Sequence, residues 1–135
     1  MKDNDLVIHF RYGTHGNIDK DMTHPFLVDN NLAVMHNGII SVPEAMQKDI
    51  SDSYYFNRTV LQKLPNNFLE NPAIVDLIEM RIGGSVLVFL DNKGNVTKIG
   101  SKCKEIIYNG CWFSNPYWIE INKIKDDLGG ELLSL

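Results

Sequence analysis

Four residues carry groups that could bind a charged ligand or stabilise a reacting one. The guanidinium of Arg11 can form two parallel hydrogen bonds with a carboxylate. The side-chain NH₂ of Asn37 and the backbone N–H of Gly38 could both donate to an oxygen that becomes negative during attack on a carbonyl. Asp52 can accept hydrogen bonds from an ammonium group. These groups could therefore bind an anion and a cation and stabilise an oxyanion.

Each of these residues also has an ordinary structural interpretation. An Asn-Gly pair is typical of a hairpin turn, and an arginine at a strand end usually contacts solvent or a surface acid. An aspartate before a helix is commonly an N-cap, and Thr14 and His15 lie in a glycine-flanked segment that is typical of turns. The functional prediction therefore depends on the joint order of the motifs.

The elements that must position these residues begin with strands. Two-residue alternation predicts a strand over residues 6–11, with Arg11 at its end. Residues 26–28 and 32–36 flank turn-forming residues and predict a hairpin. The Asn-Gly pair that follows predicts a tight turn with positive backbone dihedrals, which places Asn37 at a strand edge.

Helices are predicted in the centre of the chain. A short helix is predicted over Pro43–Gln47, and a longer one follows Ser51 or Asp52 as its N-cap, with helical spacing that continues to Lys63. A third helix is predicted to begin at Pro72 and to end at the Gly-Gly pair that follows its apolar stripe.

A second predicted hairpin pairs residues 85–90 with residues 96–99. The periodicity beyond it is weaker and predicts short strands over 108–113 and 117–121 around Asn109-Gly110 and Pro116, followed by a helix over 123–128. The sequence contains no internal repeat, low-complexity linker or composition break. It therefore predicts one α+β domain over all 135 residues.

The composition is that of an ordinary folded domain with a net charge of −4 and no basic cluster, so nucleic acid is not an expected partner. No apolar stretch approaches the roughly 20 residues that cross a bilayer, and no membrane association is expected. The N-terminal segment lacks the features of a secretory signal. With Cys103 and Cys111 expected to be reduced thiols, the predicted location is the cytoplasm.

No cofactor is expected. The histidines and cysteines form no H-E-x-x-H or C-x-x-C pair, and their spacing does not favour a metal site. The Gly-Gly pair at 83–84 lacks the following Lys and Ser or Thr of a P-loop, which leaves nucleotide binding without support. His15, His24 and His36 are instead predicted to hold loop conformations through hydrogen bonds.

The order of the motifs resembles the glutamine site of class II glutamine amidotransferases, which are N-terminal nucleophile hydrolases. Residues 11–16 read R-Y-G-T-H-G, residues 24–26 read H-P-F and residues 36–39 read H-N-G-I, followed by Asp52 just ahead of a helix. The resemblance covers residues 6–118. It extends to small amidotransferase-like proteins encoded by bacteriophages, which tend to end in a similar W-F-S-N segment.

The resemblance implies an α/β/β/α sandwich of antiparallel sheets that lacks its first strands. It also implies that Arg11 holds the α-carboxylate of glutamine and that Asp52 complements its α-ammonium group. The implied substrate-binding residues are Arg11, Thr14, His15 and Asp52. The implied oxyanion hole consists of Asn37 and Gly38.

The sequence departs from the family at the nucleophile. The family uses a cysteine at the mature N-terminus, whose free α-amine acts as the base for its own thiol. Residue 1 here is Met, and Arg11 lies much nearer the start than in the family. Cys103 and Cys111 are internal and offer no α-amine. The chain is therefore expected to be truncated at its N-terminus relative to the family and to be inactive as a glutaminase on its own.

Three hypotheses follow. In the first, the chain is a fragment of a complete amidotransferase whose upstream part supplies the cysteine. In the second, it is a natural short form that binds glutamine or a similar amide without hydrolysing it. In the third, it is a catalytically inactive phage protein, a pseudoenzyme that binds and inhibits or redirects a host protein in the host cytoplasm. A sheet edge exposed by missing strands would favour self-association or capture of a partner strand.

Overall fold

The computed structural model describes residues 6–9, 22–100, 106–108 and 110–114. The chain divides into two compact units, Met1–Ser101 and Lys102–Leu135. The fold class is α+β, as predicted, and the single domain over the whole chain stays a prediction. The first unit contains, in chain order, β1 (Phe26–Leu27), β2 (Leu32–Asn37), α1 (Pro43–Gln47), α2 (Asp52–Thr59), α3 (Pro72–Ile82), β3 (Val86–Asp91) and β4 (Val96–Ile99).

The strands of the first unit form one antiparallel sheet in the order β1-β2-β3-β4. Both predicted hairpins are confirmed, since β1 pairs with β2 and β3 pairs with β4. β2 and β3 pair along their whole length, from Leu32 opposite Asp91 to Asn37 opposite Val86, although three helices separate them in sequence. Asn37 is therefore the last residue of a central strand, at one end of the ladder.

The two hairpin turns are stabilised by aspartate side chains. Asp29 Oδ1 accepts a hydrogen bond from the Asn31 N–H at 2.6 Å, and Asp91 Oδ1 accepts one from the Asn95 N–H at 2.8 Å. The hydrogen bonds from Asn95 lower the pKa of the Asp91 carboxyl. Asn92 links the two turns, because its Nδ2 donates to Asn31 Oδ1 at 2.8 Å. The Asp and Asn residues that predicted these turns therefore also join them.

α1 and α2 begin where the sequence predicted. Pro43 occupies the first turn of α1, and the Ser51 side chain caps α2 by accepting a hydrogen bond from the Tyr54 N–H at 3.4 Å. α2 ends at Thr59, before the predicted Lys63, and a 3-10 turn follows over Leu61–Lys63. The 3-10 turn cannot continue because the next residue, Leu64, adopts the extended conformation favoured before proline.

α3 is capped at both ends by asparagine and glycine. The Asn71 side chain accepts a hydrogen bond from the Ala73 N–H at 3.1 Å, and Gly83 ends the helix with a φ of 61°. The buried residues Ile78 and Ile82 lie one turn apart and face the sheet. None of the helices in the described segments is long and apolar enough to span a membrane.

The core of the first unit lies between the helices and one face of the sheet. Leu87 and Phe89 from β3 pack there with Phe56 of α2. The rings of Phe68 and Phe89 meet edge to face, with centroids 5.7 Å apart. Asn57 fastens α2 to the edge of the sheet, since its Nδ2 donates to the Leu27 carbonyl at 2.9 Å.

The opposite face of the sheet is also apolar. Side chains alternate between faces along a strand, so Met35, Val86 and Val88 point away from the helices, and all three are buried. Central strands that are buried on both faces are compatible with an inner layer of a sandwich. The α/β/β/α arrangement itself stays a prediction.

Two sequence predictions need correction. Residues 6–9 form no strand, and Leu6 and Ile8 are exposed, because alternation alone supplies no hydrogen-bonding partner. The short strands predicted over 108–113 around Asn109-Gly110 form a hairpin in the second unit, but its first strand, β5 (Ile106–Tyr108), begins earlier than predicted and pairs with β6 (Cys111–Phe113) around Gly110. The elements predicted over 117–121 and 123–128 lie outside the described residues.

The Phe89→Ala substitution is expected to lower the free energy of unfolding by about 3–5 kcal/mol. The side chain is completely buried, and truncation would leave a cavity beside Phe68. Urea denaturation followed by circular dichroism measures the change. Leu77→Ala is the control, because Leu77 is 64% exposed on α3 and should cost less than about 1 kcal/mol. Equal losses in the two variants would contradict this core.

Candidate functional site

Half of the predicted site residues lie in the described part of the chain. Asn37 is the last residue of β2, Gly38 follows it, and Asp52 is the first residue of α2. The predicted substrate residues Arg11, Thr14 and His15 lie outside the described residues. The described part of the site therefore consists of the turn that is predicted to bind the oxyanion and the carboxylate that is predicted to bind the ammonium group.

Gly38 adopts a backbone conformation that the turn requires. Its φ is 126°, in the region that residues with a side chain rarely adopt, as the Asn-Gly pair predicted. A Cβ at this position would overlap the Ser85 side chain and lie 2.9 Å from Ser85 Cα. The absence of a side chain therefore lets the turn after β2 approach the residue that precedes β3.

Ser85 holds this turn from the neighbouring strand. Its hydroxyl donates to the Ile39 carbonyl at 3.1 Å, and the residue is 1% exposed. Gly100 approaches Ser85 from the β4 side with a φ of 129°, and a Cβ there would overlap the Ser85 carbonyl oxygen. Ser85 is therefore enclosed between two glycines at the end of the sheet where Asn37 lies.

The Asp52 carboxylate joins the turn to α2. Oδ2 accepts a hydrogen bond from the Ile40 N–H at 2.6 Å, two residues after Gly38. Oδ1 accepts hydrogen bonds from the Ser53 N–H at 2.7 Å and from the Ser53 hydroxyl at 3.1 Å. These bonds fix the orientation of the carboxylate and bring the start of α2 to the segment that contains Gly38.

The carboxylate retains capacity for a ligand. An ionised carboxylate offers about four lone-pair positions, of which the described hydrogen bonds to Ile40 and Ser53 use three. The unused position is on Oδ2, and Asp52 is only partly buried. One further hydrogen bond, such as one from an ammonium group, is therefore compatible with the geometry.

His36 contacts the same part of α2 from β2. It lies on the helix-facing side of the sheet, and its Nδ1 is 2.6 Å from the Ser53 hydroxyl. The His36 carbonyl accepts a hydrogen bond from His9 Nε2 at 2.9 Å. His36 was predicted to hold a loop conformation through hydrogen bonds, but it lies in β2 and its ring contacts α2 instead.

Burial keeps His36 neutral. It lowers the pKa of His36 from an ordinary value of 6.5 to about 4, while the charge of Asp52 raises the pKa and His9 lowers it further. A neutral imidazole that donates from Nδ1 to Ser53 Oγ leaves the Ser53 hydrogen for Asp52. His36 Nε2 is buried and has no hydrogen-bond partner within the described residues. The hydrogen bonds therefore run from His36 to Ser53 and from Ser53 to Asp52.

This order of groups does not form a nucleophilic triad. In such a triad the histidine lies between the serine and the acid and removes the serine proton. Here Ser53 lies between the other two groups and is itself buried. Neither these residues nor others in the described segments form a group of three or more His, Cys, Asp or Glu suited to a metal ion. The arrangement serves hydrogen bonding and orientation.

Sequence reasoning did not assign roles to Ser53 or Ser85. Ser53 belongs to the Ser-Asp-Ser motif, and its position directly after Asp52 was the available signal. Ser85 follows a Gly-Gly pair and precedes an apolar strand, which predicts only an element boundary. Its contact with Gly38 arises from the pairing of β2 with β3.

Comparison with known proteins finds similarity to one enzyme over a short segment. The chain is 35% identical over 52 residues to glutamine--fructose-6-phosphate aminotransferase [isomerizing] from Idiomarina loihiensis. This segment covers 38% of the chain and 8% of the length of that enzyme. No protein-family model and no solved structure matches. The similarity supports a relationship to glutamine amidotransferases at this coarse level.

The Gly38→Ala substitution is expected to destabilise the protein more than Gly94→Ala. Both glycines have positive φ, but a Cβ at Gly94 meets nothing within 4 Å, whereas one at Gly38 overlaps Ser85. The positive φ costs alanine on the order of 1–2 kcal/mol in both variants, and the overlap with Ser85 adds to this cost only at Gly38. Chemical denaturation measures both losses. Equal losses would show that the Ser85 contact is not tight.

Stability is expected to fall as the pH is lowered from 7 to 5. In the unfolded chain His36 binds a proton below its ordinary pKa of 6.5. In the folded protein the pKa of His36 is about 4, so the ring stays neutral until the pH falls to that value. Acid therefore favours the unfolded state, by about 2 kcal/mol for this group over that interval.

Urea denaturation at both pH values of the wild type and of His36→Asn tests this expectation. Asparagine retains a donor near the position of Nδ1 but does not titrate, so the variant should lose most of this pH dependence. An unchanged dependence would assign it to other groups.

Proposed function

We propose that this chain is a class II glutamine amidotransferase-like domain that recognises L-glutamine. Asn37 and Gly38 receive the side-chain amide, and Asp52 receives the α-ammonium group. The observation that carries the proposal is the 2.6 Å hydrogen bond from the Ile40 N–H to Asp52 Oδ2. It brings Asp52 together with the segment that follows the H-N-G-I motif.

The turn supports the amide-binding part of the proposal. Asn37 ends a central strand, and Gly38 follows with a φ of 126° that only glycine adopts readily. An oxyanion hole needs donors that are fixed before the reaction, because reorienting them would cost the energy they are meant to supply. The contacts of Ser85 with this segment provide that rigidity.

Asp52 supports the part of the proposal that concerns the α-amino group. Its carboxylate is oriented by Ile40 and Ser53 and keeps one acceptor position. Arg11, carried by the R-x-x-T-H-G motif, would supply the opposite charge for the α-carboxylate, with Thr14 and His15 beside it. A site with two opposite charges and an amide pocket selects an amino acid with an amide side chain.

Hydrolysis requires a nucleophile in addition to these residues. Asn37, Gly38 and Asp52 polarise and orient an amide but do not attack it. The family resemblance assigns attack to a cysteine with a free α-amine, and the internal Cys111 has no such amine. Recognition of glutamine is therefore the function proposed for these residues, and turnover is a separate question for assay.

L-Glutamine is expected to raise the midpoint of thermal unfolding, because a ligand that binds only the folded protein stabilises it by mass action. Arg11→Lys should reduce the shift strongly, since lysine keeps the charge but not the bidentate geometry. Differential scanning fluorimetry with isothermal calorimetry measures both effects. D-Glutamine is the control, because a site that fixes both charges discriminates chirality.

Full binding by Arg11→Lys would contradict the carboxylate role, and equal shifts with both enantiomers would contradict a stereospecific site. Measurement of glutamate release together with the intact mass of the natively expressed product then separates binding from turnover. A product that binds no glutamine would favour the third hypothesis, a phage protein that acts on a host protein.

A further inference from the structure

We propose that Ser53 and His36 are positioning residues that set the geometry of the Asn37–Gly38 turn and of Asp52. The inference rests on the proposed function and extends it to two side chains that do not contact the substrate. It follows from two contacts made by Asp52 and Ser53, the first two residues of α2. One contact lies before the turn that ends β2, and the other lies after it.

The first contact lies before the turn. His36, the residue preceding Asn37, extends its side chain from β2 to the Ser53 hydroxyl, with a separation of 2.6 Å. The second contact lies after the turn, where the Ile40 N–H donates to Asp52 Oδ2 at 2.6 Å. The segment of three residues between these contacts contains both proposed oxyanion donors. α2 therefore restrains that segment from its two ends.

Ser53 connects the two contacts. Its hydroxyl lies 3.1 Å from Asp52 Oδ1 while it also contacts His36 Nδ1. Removal of this hydroxyl would leave His36 without its partner and Asp52 with one bond fewer. The carboxylate could then rotate, and the positions of Asp52 and of the turn would change together.

Burial makes this connection difficult to replace by water. His36 and Ser53 are 5% and 7% exposed, so solvent does not readily take the place of a lost hydroxyl. Within the part of the chain that the structure describes, the charged or titratable groups that face His36 are Asp52 and His9, and the ring of His24 lies 6.4 Å away. The Nδ1 side of His36 and the Ser53 hydroxyl are both hydrogen-bonded, which fixes the Ser53 side chain, although the buried His36 Nε2 has no partner within the described residues.

The test measures L-glutamine affinity and the Gly38 amide resonance in a ¹H–¹⁵N spectrum of the whole chain. Ser53→Ala should weaken binding by about tenfold or more and shift the Gly38 resonance, as expected for loss of a hydrogen bond in a charged network. Ser53→Thr, which keeps the hydroxyl, should restore most of the affinity.

Ser51→Ala is the matched control. Ser51 is buried two residues away and caps the same helix, but its hydroxyl contacts only the Tyr54 N–H among the described residues. This variant should lose stability while keeping glutamine affinity and the Gly38 resonance. Equal loss of affinity in Ser51→Ala and Ser53→Ala would reduce Ser53 to a structural role and overturn the inference.

A second pair of variants covers the possibility that Ser53→Ala does not fold. His36→Asn retains a donor toward Ser53 and should bind glutamine nearly as the wild type, whereas His36→Leu should not. Normal binding of glutamine by His36→Leu would overturn the positioning role and leave the proposed function intact. Failure of the wild type to bind glutamine would overturn the proposed function, and the positioning role with it.

Discussion

The Asp52 carboxylate makes the hydrogen bonds on which the site geometry depends. Its two oxygens hold the Ile40 N–H on one side and the Ser53 backbone and hydroxyl on the other. Charge-assisted hydrogen bonds of this kind are short and about twice as strong as neutral ones. They fasten the start of α2 to the end of β2, and the turn between β2 and α1 takes its position from them.

The same carboxylate can be structural and functional. An aspartate at the start of a helix satisfies backbone donors and complements the helix dipole, which is the ordinary reason for its presence. Those bonds also fix its direction, so the remaining lone pair of Oδ2 points one way only. A site gains selectivity when its recognising group is oriented before the ligand arrives. The structural role of Asp52 is therefore a condition for the proposed one.

The apolar packing around this network sets its protonation state. His36 lies on the helix-facing side of the sheet, where burial lowers its pKa to about 4 and keeps the ring neutral at physiological pH. A neutral ring can donate from Nδ1 to Ser53 and leave the Ser53 hydrogen for Asp52. Ser85 lies between Gly38 and Gly100 and fixes the other side of the turn by packing closely against the backbones of both glycines. Hydrogen bonding and close packing thus act on one short segment.

The sequence by itself determined the local elements: both hairpins, the starts of the three helices and the positive φ at Gly38 all follow from short-range propensities and capping. It also identified Asn37, Gly38 and Asp52 as candidates, although their proposed roles stay predictions. Tertiary structure decided that residues 6–9 form no strand and that α2 ends at Thr59. It also decided the contacts that join the site, which link residues 12, 17 and 46 positions apart. The first two arise only when α2 packs against the end of β2, and the third only when β2 pairs with β3 across three intervening helices. A hydrogen bond depends on distance and direction in space, and local spacing does not encode them.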